Sequence, residues 1–191
     1  MTRKSAARHL VDALIMNGVT HVFCVPGESY LAVLDALHDV RDRIKLIVCR
    51  HEASAANMAE AYGKLTGKPG IVMVTRGPGA TQGAVGVHTA FQDSTPLIMF
   101  IGQVARTMMD REAFQEIDYR QMFGPVAKWA GQIDIAGRVS EYVNHAFATA
   151  TNGRRGPVVL ALPEDMLTEQ VNIEQLPPAP TAMAAPDERA P

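Results

Sequence analysis

Two cysteines among 191 residues, with no CxxC pair, leave no disulfide framework or zinc cluster to be read from this sequence. Cys24 and Cys49 each lie inside an apolar, strand-like run, which suits buried free thiols in a reducing compartment. A basic stretch is also missing. With 18 Lys and Arg against 20 Asp and Glu, the net charge of -2 points to neither nucleic acid nor an anionic membrane as partner. The N-terminal stretch MTRKSAARHLVDALIMNG is basic at first, but polar residues interrupt its apolar part. It is neither a signal peptide nor a membrane span. These absences set the expectation of a soluble, cytoplasmic protein. Hydrophobic residues make up 47% of the chain, enough for one sizeable core.

That core has a legible order. Ala6, Ala7, Leu10, Val11, Leu14 and Ile15 recur at helical steps up to Gly18, and His21 to Val25 follows as a strand broken by Pro26-Gly27. Ser29 is placed to cap a helix through Leu31, Leu34 and Leu37. Ile44 to Cys49 predicts a strand, Ala53 to Leu65 a helix closed at Gly67, and Ile71 to Thr75 a buried strand. Ala80 to Phe91 then reads as helix and Leu97 to Ile101 as strand. This alternation predicts an α/β fold with a doubly wound, mostly parallel sheet and helices on both faces. Residues 102 to 132 look irregular, a type of segment that is often functional. Arg138 to Ala150 returns to helical spacing, and Val158 to Leu162 is a final strand. A domain over residues 1–172 is therefore expected. Residues 173–191, which end in PPAPTAMAAPDERAP, read as a linker towards a further domain.

The centre of the chain is RHEASAANMAEAYGKLTGKPGIVMVTRGPGATQG, residues 50 to 83. Its order sends Glu52 and the turn at Gly77 to Gly79 to the carboxyl edge of neighbouring strands, where such sheets bind ligands. The glycines of GPGATQG lack the Gly-Lys-Ser/Thr ending of a P-loop and miss the dinucleotide spacing by one residue. The turn can hold an anion, approach a flat ring, or simply join strand to helix tightly. Glu52 lies against an Ala-rich wall, and a helix-start acid is also a common dipole partner. His51 beside it reads as a structural or surface histidine. Pro26-Gly27-Glu28 repeats the layout of strand, turn, acid and helix, so two acids can face one crevice. In AFQEIDYRQMFGPVAKW, residues 113 to 129, the Phe, Gln, Lys and Trp are candidates for shaping a pocket.

Taken together, HVFCVPG, RHE-x-x-A-x-x-MAEAYGKLTGKPG, VTRGPGAT, GQV, AFQE, KW and GPVVLALPED resemble the N-terminal pyrimidine-binding domain of thiamine-diphosphate enzymes. The resemblance spans about residues 5 to 170 and is nearest to the acetolactate synthase family. It implies that Glu52 hydrogen-bonds the ring nitrogen N1′ of the aminopyrimidine and promotes loss of the thiazolium proton, so that a 2-oxo acid can be attacked. A water-poor setting would strengthen that hydrogen bond and raise the carboxyl pKa. Pro26, Gly27, Pro78, Gly79 and Gln82 match cofactor-lining positions, with Gln82 in place of the usual Asn. Gln115 matches a residue at the reacting end, and Phe114 and Lys128 match positions at the substrate channel.

The departures matter as much. Acetolactate synthases usually carry a second glycine after Pro-Gly, whereas this chain has Glu28; pyruvate and indolepyruvate decarboxylases carry an active-site Asp there, but their paired histidines are absent. Glu28 is thus a candidate proton donor for aldehyde release. No GDG motif occurs, so diphosphate and Mg2+ would be held by a domain outside this sequence, in the same or a second polypeptide. Use of FAD stays open. Three readings follow: a carboligating acetolactate synthase-like enzyme, a non-oxidative decarboxylase, or a non-catalytic nucleotide or regulatory module on the same fold. The resemblance further implies a homodimer or homotetramer, with Ala55, Ala56, Met58 and Ala59 as candidate contact residues.

Overall fold

The structure is a computed structural model that describes residues 3–178 and Pro180. In chain order its elements are β1 (Lys4–Ser5), α1 (Ala6–Met16), β2 (His21–Cys24), α2 (Leu31–His38), β3 (Lys45–Val48), α3 (Glu52–Thr66), β4 (Gly70–Val74), α4 (Gly77–Gln92), β5 (Leu97–Gln103), α5 (Tyr119–Phe123), β6 (Trp129–Gln132), α6 (Val139–Thr151), β7 (Pro157–Pro163), α7 (Glu164–Thr168) and β8 (Gln170–Val171). Six strands form one sheet in the order β3-β2-β4-β5-β7-β6, and every pairing in it is parallel. The expected doubly wound sheet is therefore present.

Alternate residues of each strand feed two cores. Ile71 and Met73 of β4 join a cluster with α1, α2 and α6, while Val72 and Val74 join α3, α4 and α5 on the opposite face. Both faces of β4, β5 and β7 are covered, which is why those strands read as unbroken apolar runs. Ser5 caps α1, its Oγ accepting from the Arg8 N–H at 3.2 Å. Gly67 ends α3 in the left-handed region at φ 70°, where a glycine carries no steric cost.

Several expectations change. Ser29 does not cap α2: it is buried in a short 3-10 turn, Glu28–Tyr30, and its hydroxyl bonds to Thr75 Oγ1 at 2.8 Å. Helix α4 begins three residues earlier than predicted, at Gly77, because Pro78 fits the first helical turn. The irregular stretch contains β6, whose Trp-Ala-Gly-Gln sequence hides an edge strand that pairs only with β7. Ala55, Ala56 and Ala59 are fully buried within the chain and cannot form an outer contact surface; of the four residues expected there, only Met58 is exposed. A Cβ at Gly86 of α4 would lie 2.6 Å from the Cβ of Ala56, so the small residues serve the close approach of α3 to α4.

Residues 172–178 have no regular structure, yet they are held. Gln175 bonds to His9 and Ser140, and Asn144 donates to the carbonyls of Leu176 and Pro177 at 3.1 Å. Most of the expected linker after these residues lies outside the described residues.

Candidate functional site

Strand β2 is followed in the chain by β3 on one side, and β4 returns to its other side, so the chain direction switches between β2 and β4. Ligands of open parallel sheets bind at the carboxyl edge beside such a switch. Here that edge is built from three turns: Val25 to Glu28 after β2, Cys49 to His51 after β3, and Thr75-Arg76 after β4.

The turns are locked to one another. A Cβ on Gly27 would overlap Thr75, so only glycine lets the first turn settle against the third. Ser29 lies over Gly102 of β5, where an added Cβ would meet the Ser29 Cβ at 2.7 Å. Tyr30 donates its hydroxyl to the Val25 carbonyl at 2.5 Å and closes the same turn from below. Burial pushes the Tyr30 hydroxyl pKa far up, with lesser contributions from Cys24 and Glu52, so it stays a donor.

Glu52 is the first residue of α3 and is half-buried. His51 is the cap of that helix, Nδ1 accepting from the Ala53 N–H at 3.1 Å, which fulfils the structural reading of this histidine. The carboxylate of Glu52 has no hydrogen-bond or ion-pair partner among the described residues. It lies against α4: a Cβ on Gly79 would stand 3.5 Å from Glu52 Oε1, and one on Gly83 would stand 3.9 Å from its Cβ. Glycines one helical turn apart thus leave room for the acid between α3 and α4.

Most N–H groups of the GPG turn are not free to hold an anion. Gly77 N–H donates to the Gln115 carbonyl at 2.9 Å, Pro78 has no N–H, and Ala80 N–H is taken by the Arg76 carbonyl. Gly77 makes room instead for the loop that crosses it, since a Cβ there would meet the Gln115 carbonyl oxygen at 2.9 Å. In that loop Asp110, Glu112 and Gln115 all have positive φ without being glycine. Such backbone costs about 1–3 kcal/mol per residue and persists where surroundings impose it. Glu116 supplies part of that constraint, accepting from the N–H groups of Asp110 and Ala113.

Pro26, Gly27, Glu28, Glu52, Pro78, Gly79 and Gln115 are thus gathered at one edge, with Gln82 exposed one turn into α4. Phe114 is 73% exposed on the crossing loop. Lys128 is not brought there. It precedes β6 at the amino edge of the sheet, and its ammonium donates to the carbonyls of Thr149 and Asn152 at the end of α6; partial burial lowers its pKa. Trp129 stacks on His145, with ring centres 4.3 Å apart. The 113–129 stretch does line a cavity of about 630 Å³, but through Glu116, Tyr119 and Arg120 with Gln103 and Gln132, on the β5-β7-β6 side of the sheet.

Arg76 escaped the reading of the sequence. It is buried, and its two terminal nitrogens reach Glu28 at 3.3 Å and Glu164 at 2.8 Å. An arginine directly after an apolar strand was the available signal, because a buried guanidinium needs acidic partners.

The family described as "Thiamine pyrophosphate enzyme, N-terminal TPP binding domain" matches residues 4–122. The chain belongs to this family. The matched residues run from β1 into α5 and so include all three turns of the crevice edge. Among similar proteins, an acetolactate synthase of Bacillus subtilis (strain 168) is 38% identical over 186 residues, covering 97% of this chain and 32% of the relative. The acetolactate synthase isozyme 3 large subunit of Escherichia coli (strain K12) is 41% identical over 167 residues, covering 87% and 29%. A mitochondrial acetolactate synthase catalytic subunit of Aspergillus candidus is 40% identical over 155 residues, covering 81% and 22%. The chain thus spans about a third or less of the length of these relatives. No described helix is long and apolar enough to cross a membrane.

Proposed function

We propose that the chain is the pyrimidine-binding, cofactor-activating domain of a larger enzyme that decarboxylates and joins 2-oxo acids in the manner of acetolactate synthases. One observation carries this reading: the half-buried carboxylate of Glu52, at the position of the acid in the RHE motif, faces the switch-point edge with no partner of its own. An acid in that state suits a ligand atom that both donates and accepts a proton. Thiamine diphosphate, when bound, supplies an electron sink for cleaving and forming bonds next to a carbonyl carbon. Glu52 holds the proton at ring nitrogen N1′, and the alanines of α3 behind it keep water from that hydrogen bond. Pro26, Gly27, Pro78, Gly79 and Gln82 border the cofactor, Gln115 stands over the GPG turn, and Phe114 is exposed towards an incoming substrate.

Diphosphate and Mg2+ fall to a further domain beyond residues 1–172, reached through the linker from 173 to 191. No group of three or more His, Cys, Asp or Glu among the described residues can hold a metal. A second reading, simple decarboxylation with aldehyde release, is favoured by Glu28, an acid at the same edge where acetolactate synthases usually have glycine.

The deciding experiment is Glu52→Gln in the full-length enzyme. The amide keeps size but cannot exchange a proton with N1′, so deuterium exchange at the cofactor's thiazolium carbon should slow about a hundredfold or more. Exchange at the wild-type rate would remove Glu52 from the mechanism and the reading with it.

A further inference from the structure

Among the described residues, the one guanidinium buried at the crevice edge makes no hydrogen bond or ion pair with Glu52. Arg76 follows β4, and its side chain spans the carboxyl ends of three elements. It meets Glu28 from the turn after β2 and Glu164 at the start of α7, after β7. Its own side chain is 9% exposed, while those of Glu28 and Glu164 are 70% and 42% exposed. The arginine is therefore fixed and the glutamates are the groups being held. Its Nε has no partner and lies buried, so both hydrogen bonds from Arg76 side-chain nitrogens go to carboxylates. Around it, Gly27 against Thr75 and Ser29 over Gly102 leave the backbone of the β2 turn no room to move inward.

Without Arg76, an exposed glutamate on a short 3-10 turn would sample many rotamers. With it, the Glu28 carboxylate is kept at the switch point, on the side of β2 that faces β4. Two carboxylates against one cation leave the group a net negative charge, so the clamp does not prepare a place for an anionic substrate. It orients an acid.

We infer that Arg76 is a positioning residue of the site, which acts through Glu28: the pair is one unit that sets how far aldehyde release competes with carbon–carbon ligation. This rests on the proposed function, and the tests separate the two. In the ligand-free full-length protein, amide hydrogen exchange needs no cofactor. Arg76→Met should speed exchange at least tenfold in residues 26–30 and 164–168, whereas Glu28→Gln should do so only in 26–30. In the cofactor-loaded enzyme given pyruvate, Arg76→Met and Glu28→Gln should lower the ratio of acetaldehyde to acetolactate by the same factor, about tenfold. The double variant should lower it no further, because the two residues act as a unit. Arg76→Lys, which can hold one of the two carboxylates, should recover part of the ratio. A merely structural arginine would move stability but not this ratio.

Multiplicative effects in the double variant, or an unchanged ratio in Arg76→Met, would overturn the inference while thiamine-diphosphate binding by the wild type leaves the proposed function standing. Wild-type enzyme that binds the cofactor but forms neither product from pyruvate or 2-oxobutyrate would also overturn it. Absence of cofactor binding by the full-length wild type would overturn both.

Discussion

At the scale of single residues, burial decides which side chains can do chemistry. Cys24 is fully buried, and burial, followed by the neighbouring Cys49, pushes its thiol up to about 11. Cys49 is only half-buried, its sulfur 3.8 Å from that of Met58. Because the thiolate is the nucleophile, iodoacetamide at mildly alkaline pH should label Cys49 in the native protein and leave Cys24 unmodified until denaturant is added. Mass spectrometry of tryptic peptides would show this, and equal labelling of both would contradict the buried placement of Cys24. The same rule explains what could be read from sequence. Glu52 stood out because an acid followed by alanines is unusual at a strand end, whereas Arg76 went unread because its partners lie 48 and 88 positions away. No local pattern encodes such a meeting.

Among the elements, those with strong local signals were legible and those defined by partners were not. The apolar runs of β4, β5 and β7 and the periodicity of α1, α3 and α6 announce themselves. Strand β6 and helix α7 are short, and they exist because β7 and Arg106 hold them. Arg106 is the second long-range clamp: its N–H and Nε donate to Asp165 at 3.0 and 2.9 Å, one Nη to the Asp134 carbonyl at 2.6 Å, and the other to Glu169. Burial pushes the Asp165 carboxyl up, but the Arg106 hydrogen bonds and charge outweigh it and hold the group below its ordinary value of 3.8. A depressed carboxyl contributes stability that is complete above the unfolded value and is lost as pH falls through the folded one. Asp165→Asn should therefore cost about 1–2 kcal/mol at neutral pH, given that each side chain is about a third exposed. The difference from wild type should vanish in strong acid. Urea unfolding across that range would test this, and a pH-independent difference would show that packing rather than charge is lost.

For the whole molecule, the parallel sheet and the place of its crevice edge followed from order and alternation, but the outer surface did not. Small residues on α3 suggested an interface and proved to be interior, because residue size alone cannot tell which side of a helix its neighbour occupies. Met58 and Val85 are nonetheless 42% and 48% exposed on α3 and α4, and Leu65 is 86% exposed. The family resemblance implies a dimer or tetramer, so sedimentation of the full-length enzyme should give at least twice the chain mass at micromolar concentration. A monomer throughout would count against it. The small antiparallel ladder has a different consequence. Lys4 pairs with Val171 and Ser5 with Gln170, so the first and last strands of the described residues lie side by side. In covalent terms the fold is a ring that has been opened once. A short Gly-Ser bridge from Val171 to Lys4 could close it, and new ends could then be cut at the exposed Gly153, between α6 and β7. Such a permutant should unfold in one cooperative transition and keep every strand of the large sheet in its present order. Loss of the cooperative transition would mean that the order of synthesis, and not only the set of contacts, is needed to reach this fold.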